Sequence, residues 1–187
     1  MNSQALWYLT RGSGVVALIL LTIAVLGGLV TKSRWSSPRW SRFVVEGLHR
    51  NLSLLSVVFL AVHIASAVLD SYVPISWTSA LLPFSATYRP FWLGLGALAL
   101  DCFIAVAVTS LLRVRLGYGS WRAVHWLAYA SWGLAVLHGL GTGSDRHQGW
   151  FLALNLAAVG LVVAALANRS MQPAVVPAPV ERRRAVR

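Results

Sequence analysis

Long apolar runs alternate with short polar connections along this chain. Five runs approach or exceed the ~20 residues that carry a helix across a bilayer core. They cover residues 6–30, 43–69, 91–112, 121–141 and 149–167. The pattern predicts an all-α integral membrane protein, a five-helix transmembrane bundle. The segment "SYVPISWTSALLPFSATYRP" (71–90) is too short and too broken by proline to span, and is expected to lie over one mouth of the bundle as a lid. The closing stretch "PAVVPAPVERRRAVR" is proline-rich and then basic. It predicts a disordered tail over 169–187, leaving 1–168 as the membrane domain. The opening "MNSQ" has no basic n-region, and the first run is long enough to span. It is therefore expected to be a retained helix and not a cleaved signal.

Composition agrees with a bilayer as solvent. The chain is 57% hydrophobic and only 11% charged, with a mean hydropathy of +0.67. A soluble domain would carry about twice that charge fraction. The net charge of +11 does not point to nucleic acid, because the basic residues lie between apolar runs and in the tail. They read as topology signals and lipid-headgroup contacts. Lys32, Arg34, Arg39 and Arg42 separate the first two runs, and Arg113, Arg115 and Arg122 the third and fourth; the intervening connections offer only Arg89 and Arg146. The positive-inside rule then sets the N-terminus outside, the basic loops in the cytoplasm and the C-terminus inside. Trp7, Trp35, Trp40, Trp92, Trp121 and Trp150 fall at or near run ends, where indole favours the interface. The single cysteine, Cys102, cannot make an intramolecular disulfide, and no C-x-x-C-H motif for covalent haem attachment is present.

Two runs carry titratable rings that a membrane helix rarely holds. "LHRNLSLLSVVFLAVHI" has His49 and His63, and "SWRAVHWLAYASWGLAVLHGL" has His125 and His138. One helix separates these runs, so both cross in the same direction. His49 and His125 then share a depth near the cytoplasmic side, and His63 and His138 share one nearer the outside. Intramembrane ionisable residues are costly and mark function. Neutral imidazole is an axial ligand for haem iron, and two imidazoles from facing helices make a six-coordinate b-type site. Fourteen helical residues rise about 21 Å and return to nearly the same face, which stacks two such sites across the bilayer. The thirteen residues from His125 to His138 leave the rings roughly 140° apart on an ideal helix. Either the fourth helix is distorted near Gly133, or its histidines approach from different sides. Packing histidines are the plain alternative. Zinc fits less well, since each depth offers two imidazoles without further ligands. A proton relay through Asp101, in the middle of the third run, would not explain the matched depths.

Other residues complete the pattern. Ser53 and Ser56 lie on the His49 face, small enough for a flat macrocycle to come close. Trp132 lies about two turns from His125, between the two levels. It either shortens an electron's path or packs the core. Arg50 and Arg122 flank the inner level and Arg11 the outer; each either pairs with haem propionates or snorkels to headgroups. Glu46 is placed to pair with Arg42 or Arg50. His147 is expected in an exposed outer loop.

With these residues in view, the chain resembles the ferric reductase-like transmembrane domain family. Its relatives include the membrane parts of NADPH oxidases and ferric reductases, and the haem-binding membrane subunit of the bacterial periplasmic methionine sulfoxide reductase system. The resemblance rests on "LHRNL…AVHI" and "WRAVHWLAY…VLHGL", and more weakly on "RGSG" and "LLPFSATYRPFWLGLG", which look like actinobacterial members. It covers about residues 5–168. The family's second histidine helix has the same spacing of thirteen. The resemblance implies that His49 and His125 hold an inner haem b and His63 and His138 an outer one. The oxidases have six helices against five here, the missing one being a first helix without haem ligands. No G-x-G-x-x-G or β-α-β pattern follows residue 168, so electrons would come from a separate flavoprotein, a bound flavin or quinol.

These readings converge on a di-haem cytochrome b of a bacterial plasma membrane, an electron-transfer subunit of an oxidoreductase. It would pass electrons from a cytoplasmic-side donor to an outside acceptor: ferric iron, a reductase partner or oxygen. The alternatives are a quinol-linked cytochrome b subunit of a dehydrogenase, a haem-free proton channel or transporter, and a plain membrane anchor.

Overall fold

The computed structural model describes residues 3–32 and 41–171. All regular structure among them is helical: α1 (Ser3–Lys32), α2 (Arg42–Leu69), α3 (Trp77–Leu81), α4 (Pro90–Leu111), α5 (Arg113–Leu116), α6 (Tyr118–His125), α7 (Leu127–Thr142) and α8 (Gly149–Met171). Among the described residues α1, α2, α4 and α8 are each long and apolar enough to cross a membrane. Their ends lie within a few residues of the four matching apolar runs. The fourth run, 121–141, is divided between α6 and α7.

Local chemistry accounts for the helix limits. Ser41 starts α2 by accepting from the Val44 N–H, and Ser76 starts α3 by accepting from Ser79. Pro90 opens α4, where its missing N–H costs nothing. Inside the helices, small hydroxyls fold back onto carbonyls four residues earlier: Thr22 on Leu18, Ser56 on Leu52, Ser66 on Val62 and Thr109 on Ala105. These four hydroxyl hydrogens are thereby kept from hydrocarbon, where each unmet group costs several kcal/mol.

The break between α6 and α7 is a change of winding. Trp126 keeps right-handed helical angles, φ −63° and ψ −24°. Its N–H reaches Ala123, and its carbonyl accepts from Tyr129, both three residues away. Such bonds wind the chain at about 120° per residue instead of 100°. A few tighter residues carry His138 part of the way back towards the His125 face. The distortion considered near Gly133 thus lies seven residues earlier, and Gly133 sits within the regular α7.

The helices pack as two hairpins, α1 against α2 and α4 against α7, with α8 lying on α1 and α3 on α4. Val25, Leu29 and Val162 form a buried cluster with Tyr129 and Trp132, tying α1, α7 and α8 together. Large apolar side chains such as Leu54, Val58, Leu156 and Leu161 face outward. With bilayer as solvent that exposure is favourable, and the chain is a multi-pass membrane protein. Residues 172–187, the greater part of the expected disordered tail, lie outside the described residues, as does 33–40 with Lys/Arg positions 34 and 39. Arg169 and its neighbours continue α8 as helix.

Candidate functional site

The end of the bundle holding the start of α1 is called upper here, and the opposite end lower. The two hairpins bring the four histidines together in the expected pairs. His63 of α2 and His138 of α7 meet at the upper level with ring centroids 6.4 Å apart and planes at 86°. His49 and His125 meet at the lower level, also at 6.4 Å, with planes at 70°.

Besides an edge-to-face contact of the two rings, that separation is compatible with one ion held between them. With a metal–imidazole bond of about 2 Å and the ring centre about 1 Å behind its nitrogen, imidazoles on opposite sides of one ion have centroids about 6 Å apart. Tautomer supports the same reading. His63 Nδ1 lies 2.8 Å from the Thr10 carbonyl, His49 Nδ1 2.9 Å from Ala24, and His138 Nδ1 2.9 Å from Trp92. A carbonyl only accepts, so each Nδ1 carries the proton and each Nε2 keeps its lone pair. A carbonyl behind the ring is the usual outer partner of a metal-binding histidine. Among the described residues no group of three or more His, Cys, Asp or Glu gathers around one point. Each level therefore offers two imidazole nitrogens, fewer than the ligands a zinc ion takes from a protein.

The upper pair opens into a cavity of about 550 Å³. Gly14, Gly96 and Ser131 are among its walls, and Tyr72, Ser79, Tyr88 and Arg89 come from segment 71–90. That segment closes over the mouth as expected of a lid. Arg89 holds a left-handed backbone (φ 41°), uncommon for a non-glycine residue, and its guanidinium donates to the Gly141 carbonyl at 2.5 Å. Arg146 reaches the same carbonyl at 3.4 Å. Arg11 faces the cavity but is ion-paired to Asp145, and stacks over Trp7 and Trp150.

The lower pair is built differently. The Trp121 ring lies 4.9 Å from that of His125, and its Nε1–H donates to Ser110 Oγ at 3.3 Å. Arg50 and Arg122 are exposed beside the two lower histidines. Between the levels, Trp132 donates Nε1–H to Thr22 Oγ1 at 2.9 Å, and Ser56 is fully buried. Asp101 is half-buried in mid-α4. His147 is exposed at the cavity rim, where its Nε2 accepts from Arg146.

The chain has a counterpart among known families. Residues 13–140 match the family described as ferric reductase like transmembrane component. The chain belongs to that family. The matched region holds all four histidines and ends just after His138. A membership of this kind carries a membrane electron-transfer role. No curated protein and no solved structure shows significant similarity to the chain.

Several residues of this family member's site were not singled out from sequence. Gly14, Gly28 and Gly96 lie against histidine rings, Trp121 covers His125, and Asp145 takes up Arg11. One signal was available for the glycines. Gly14 and Gly28 are spaced by fourteen, as His49 and His63 are.

Proposed function

We propose that the protein is a transmembrane di-haem cytochrome b. It passes electrons singly from a donor at the lower, cytoplasmic end to an acceptor at the upper, extracytoplasmic end. The observation that carries this reading is the pair of imidazole couples with centroids 6.4 Å apart at both levels. His63 and His138 would hold the upper haem b, and His49 and His125 the lower. Bound haem supplies a one-electron ferric/ferrous couple at each level.

The chain's own part is to hold, space and insulate. The α2 histidines set the two levels about 21 Å apart along the helix. α1 and α4 lock three imidazoles in the tautomer that leaves Nε2 available. Trp132, anchored to Thr22, occupies the ground between the levels. Arg89 and Arg146 bring cationic groups to the rim of the upper cavity, and Arg50 and Arg122 flank the lower pair. Arg11 is less available for a propionate than its position suggested, because Asp145 already holds it.

The crossing order follows from the same reading. α6 and α7 together make the fourth of five crossings. The exposed Arg113, Arg115 and Arg122 support a cytoplasmic lower end under the positive-inside rule. The donor is a separate flavoprotein or quinol, and the acceptor is ferric iron or a reductase partner.

The test is a reduced-minus-oxidised spectrum of the purified chain with a pyridine haemochrome count. The expected result is a b-type signal with two haems per chain. A haem-free protein from haem-replete cells would sink the reading and favour a transporter using Asp101.

A further inference from the structure

Three of the four imidazoles are held by one repeated device. On α1 the Thr10 carbonyl takes the His63 Nδ1–H, and four residues on is Gly14. Lower on α1 the Ala24 carbonyl takes the His49 Nδ1–H, and four residues on is Gly28. On α4 the Trp92 carbonyl takes the His138 Nδ1–H, and four residues on is Gly96. In an α-helix the carbonyl of one residue points at the N–H of the residue four further on. The glycine is thus the residue directly beyond each accepting carbonyl.

The spacing has a steric reason. A Cβ on Gly96 would lie 2.5 Å from His138 Nδ1 and 2.7 Å from Cε1. One on Gly14 would lie 2.8 Å from His63 Nδ1 and 2.9 Å from Cε1. Neither ring could keep its place. At Gly28 the same atom would meet His49 Cε1 at 3.5 Å, an ordinary contact. The requirement is strict at the upper level and relaxed at the lower. On α4, fourteen residues beyond Gly96, the equivalent position is Ser110, which receives the Trp121 indole.

We propose that Gly14 and Gly96 are positioning residues for the upper histidines. Each bares a strip of helix backbone so that an imidazole comes close against it and its Nδ1–H reaches the carbonyl one turn back. The inference deepens the cytochrome reading and rests on it. A hydrogen-bonded Nδ1 makes Nε2 a stronger donor, and a stronger donor favours ferric over ferrous iron. Prising the ring off the carbonyl should raise the midpoint potential of the upper haem alone.

The experiment is a potentiometric titration of the full chain purified with haem, with low-spin EPR spectra of the oxidised form. The upper component is assigned as the one missing from His63→Ala. Gly14→Ala and Gly96→Ala are each expected to raise the upper potential. A tenfold change in the ferric-to-ferrous binding ratio corresponds to a rise of about 59 mV. The upper EPR signal should move as the rings turn from 86°, or the upper haem should be lost while the lower remains. Gly12→Ala and Gly133→Ala, whose added Cβ meets nothing within 4 Å, should leave both components in place. Unchanged upper signals in both Gly14→Ala and Gly96→Ala would overturn the proposal, and so would equal shifts at both levels. If those variants do not accumulate, proton ENDOR of the wild type decides. The upper Nδ1 protons should be strongly hydrogen-bonded and slow to exchange into deuterium, and rapid exchange overturns the proposal. A wild type without haem would instead remove the cytochrome reading itself.

Discussion

At the upper level both rings, His63 and His138, donate to carbonyls of neighbouring helices and lie on glycine. They face a cavity of about 550 Å³ under segment 71–90, and the arginines at its rim are engaged by Asp145 and the Gly141 carbonyl. At the lower level His49 keeps the same arrangement with a looser glycine, while His125 lies against Trp121. The lower flank is α5 and α6, with Arg113, Arg115 and Arg122 exposed. The same ring separation is thus produced by two kinds of support. Backbone carbonyls cannot be repositioned without moving a helix, whereas an indole on a short helix adjusts. The upper end is fixed and enclosed, and the lower end is more open around His125.

Emptying one level at a time gives the largest effect and tests whether the levels are independent. His63→Ala or His138→Ala should reduce two haems per chain to one and leave the lower redox component. His49→Ala or His125→Ala should do the converse. A haemochrome count with a redox titration checks this. Loss of both haems from any single substitution would show that the levels fold as one unit.

The arginines provide the next contrast. Asp145 is only 6% exposed and is held by Arg11, whose side chain is 32% exposed. Arg11→Ala strands a nearly buried carboxylate, and should cost about 1–3 kcal/mol, the lower part of that range given partial screening. Arg50→Ala and Arg122→Ala, at exposed positions, should stay within about 0.5 kcal/mol of wild type. Thermal unfolding in detergent measures all three. Adding Asp145→Asn to Arg11→Ala should recover part of the loss, since the uncompensated charge is then gone. An Arg11 variant as stable as the Arg122 variant would remove the view that the upper mouth is clamped.

How much of this was legible in the sequence follows from the range of the forces involved. Four spanning helices were legible because apolar runs of bilayer length have few other uses. The pairing of His49 with His125 and His63 with His138 was legible because helix direction and rise fix depth. The α6–α7 break was not. "RAVHWLA" contains neither glycine nor proline, so no local breaker announces the tightening at Trp126. Trp92 was assigned to the interface from its place at a run end, yet its carbonyl supports His138 and its ring packs on Gly141. Arg11 and Asp145 meet across almost the whole chain, and no local pattern announces such a pair. The glycines were half visible. Their spacing of fourteen repeats that of the histidines, but only the neighbouring helix shows what the missing Cβ makes room for.

The smallest effect sharpens the comparison most. Trp121→Phe keeps an aromatic ring beside His125 and removes the indole N–H that reaches Ser110, a bond of 3.3 Å. Stability should fall by about 1 kcal/mol or less, since Ser110 Oγ lies near the helix end, where it can accept from water instead. The lower midpoint potential should shift by well under the 59 mV of a tenfold change, with the upper potential unmoved. Ser110→Gly then gives the lower level the α4 surface that the upper level has. If the indole on Ser110 is what sets His125 apart, this change should move the lower signal towards the upper one. If the lower signal stays put, the asymmetry comes from the winding at Trp126. That tightened stretch runs from Ala123 to Tyr129, with His125 inside it, and so bears directly on where the ring points.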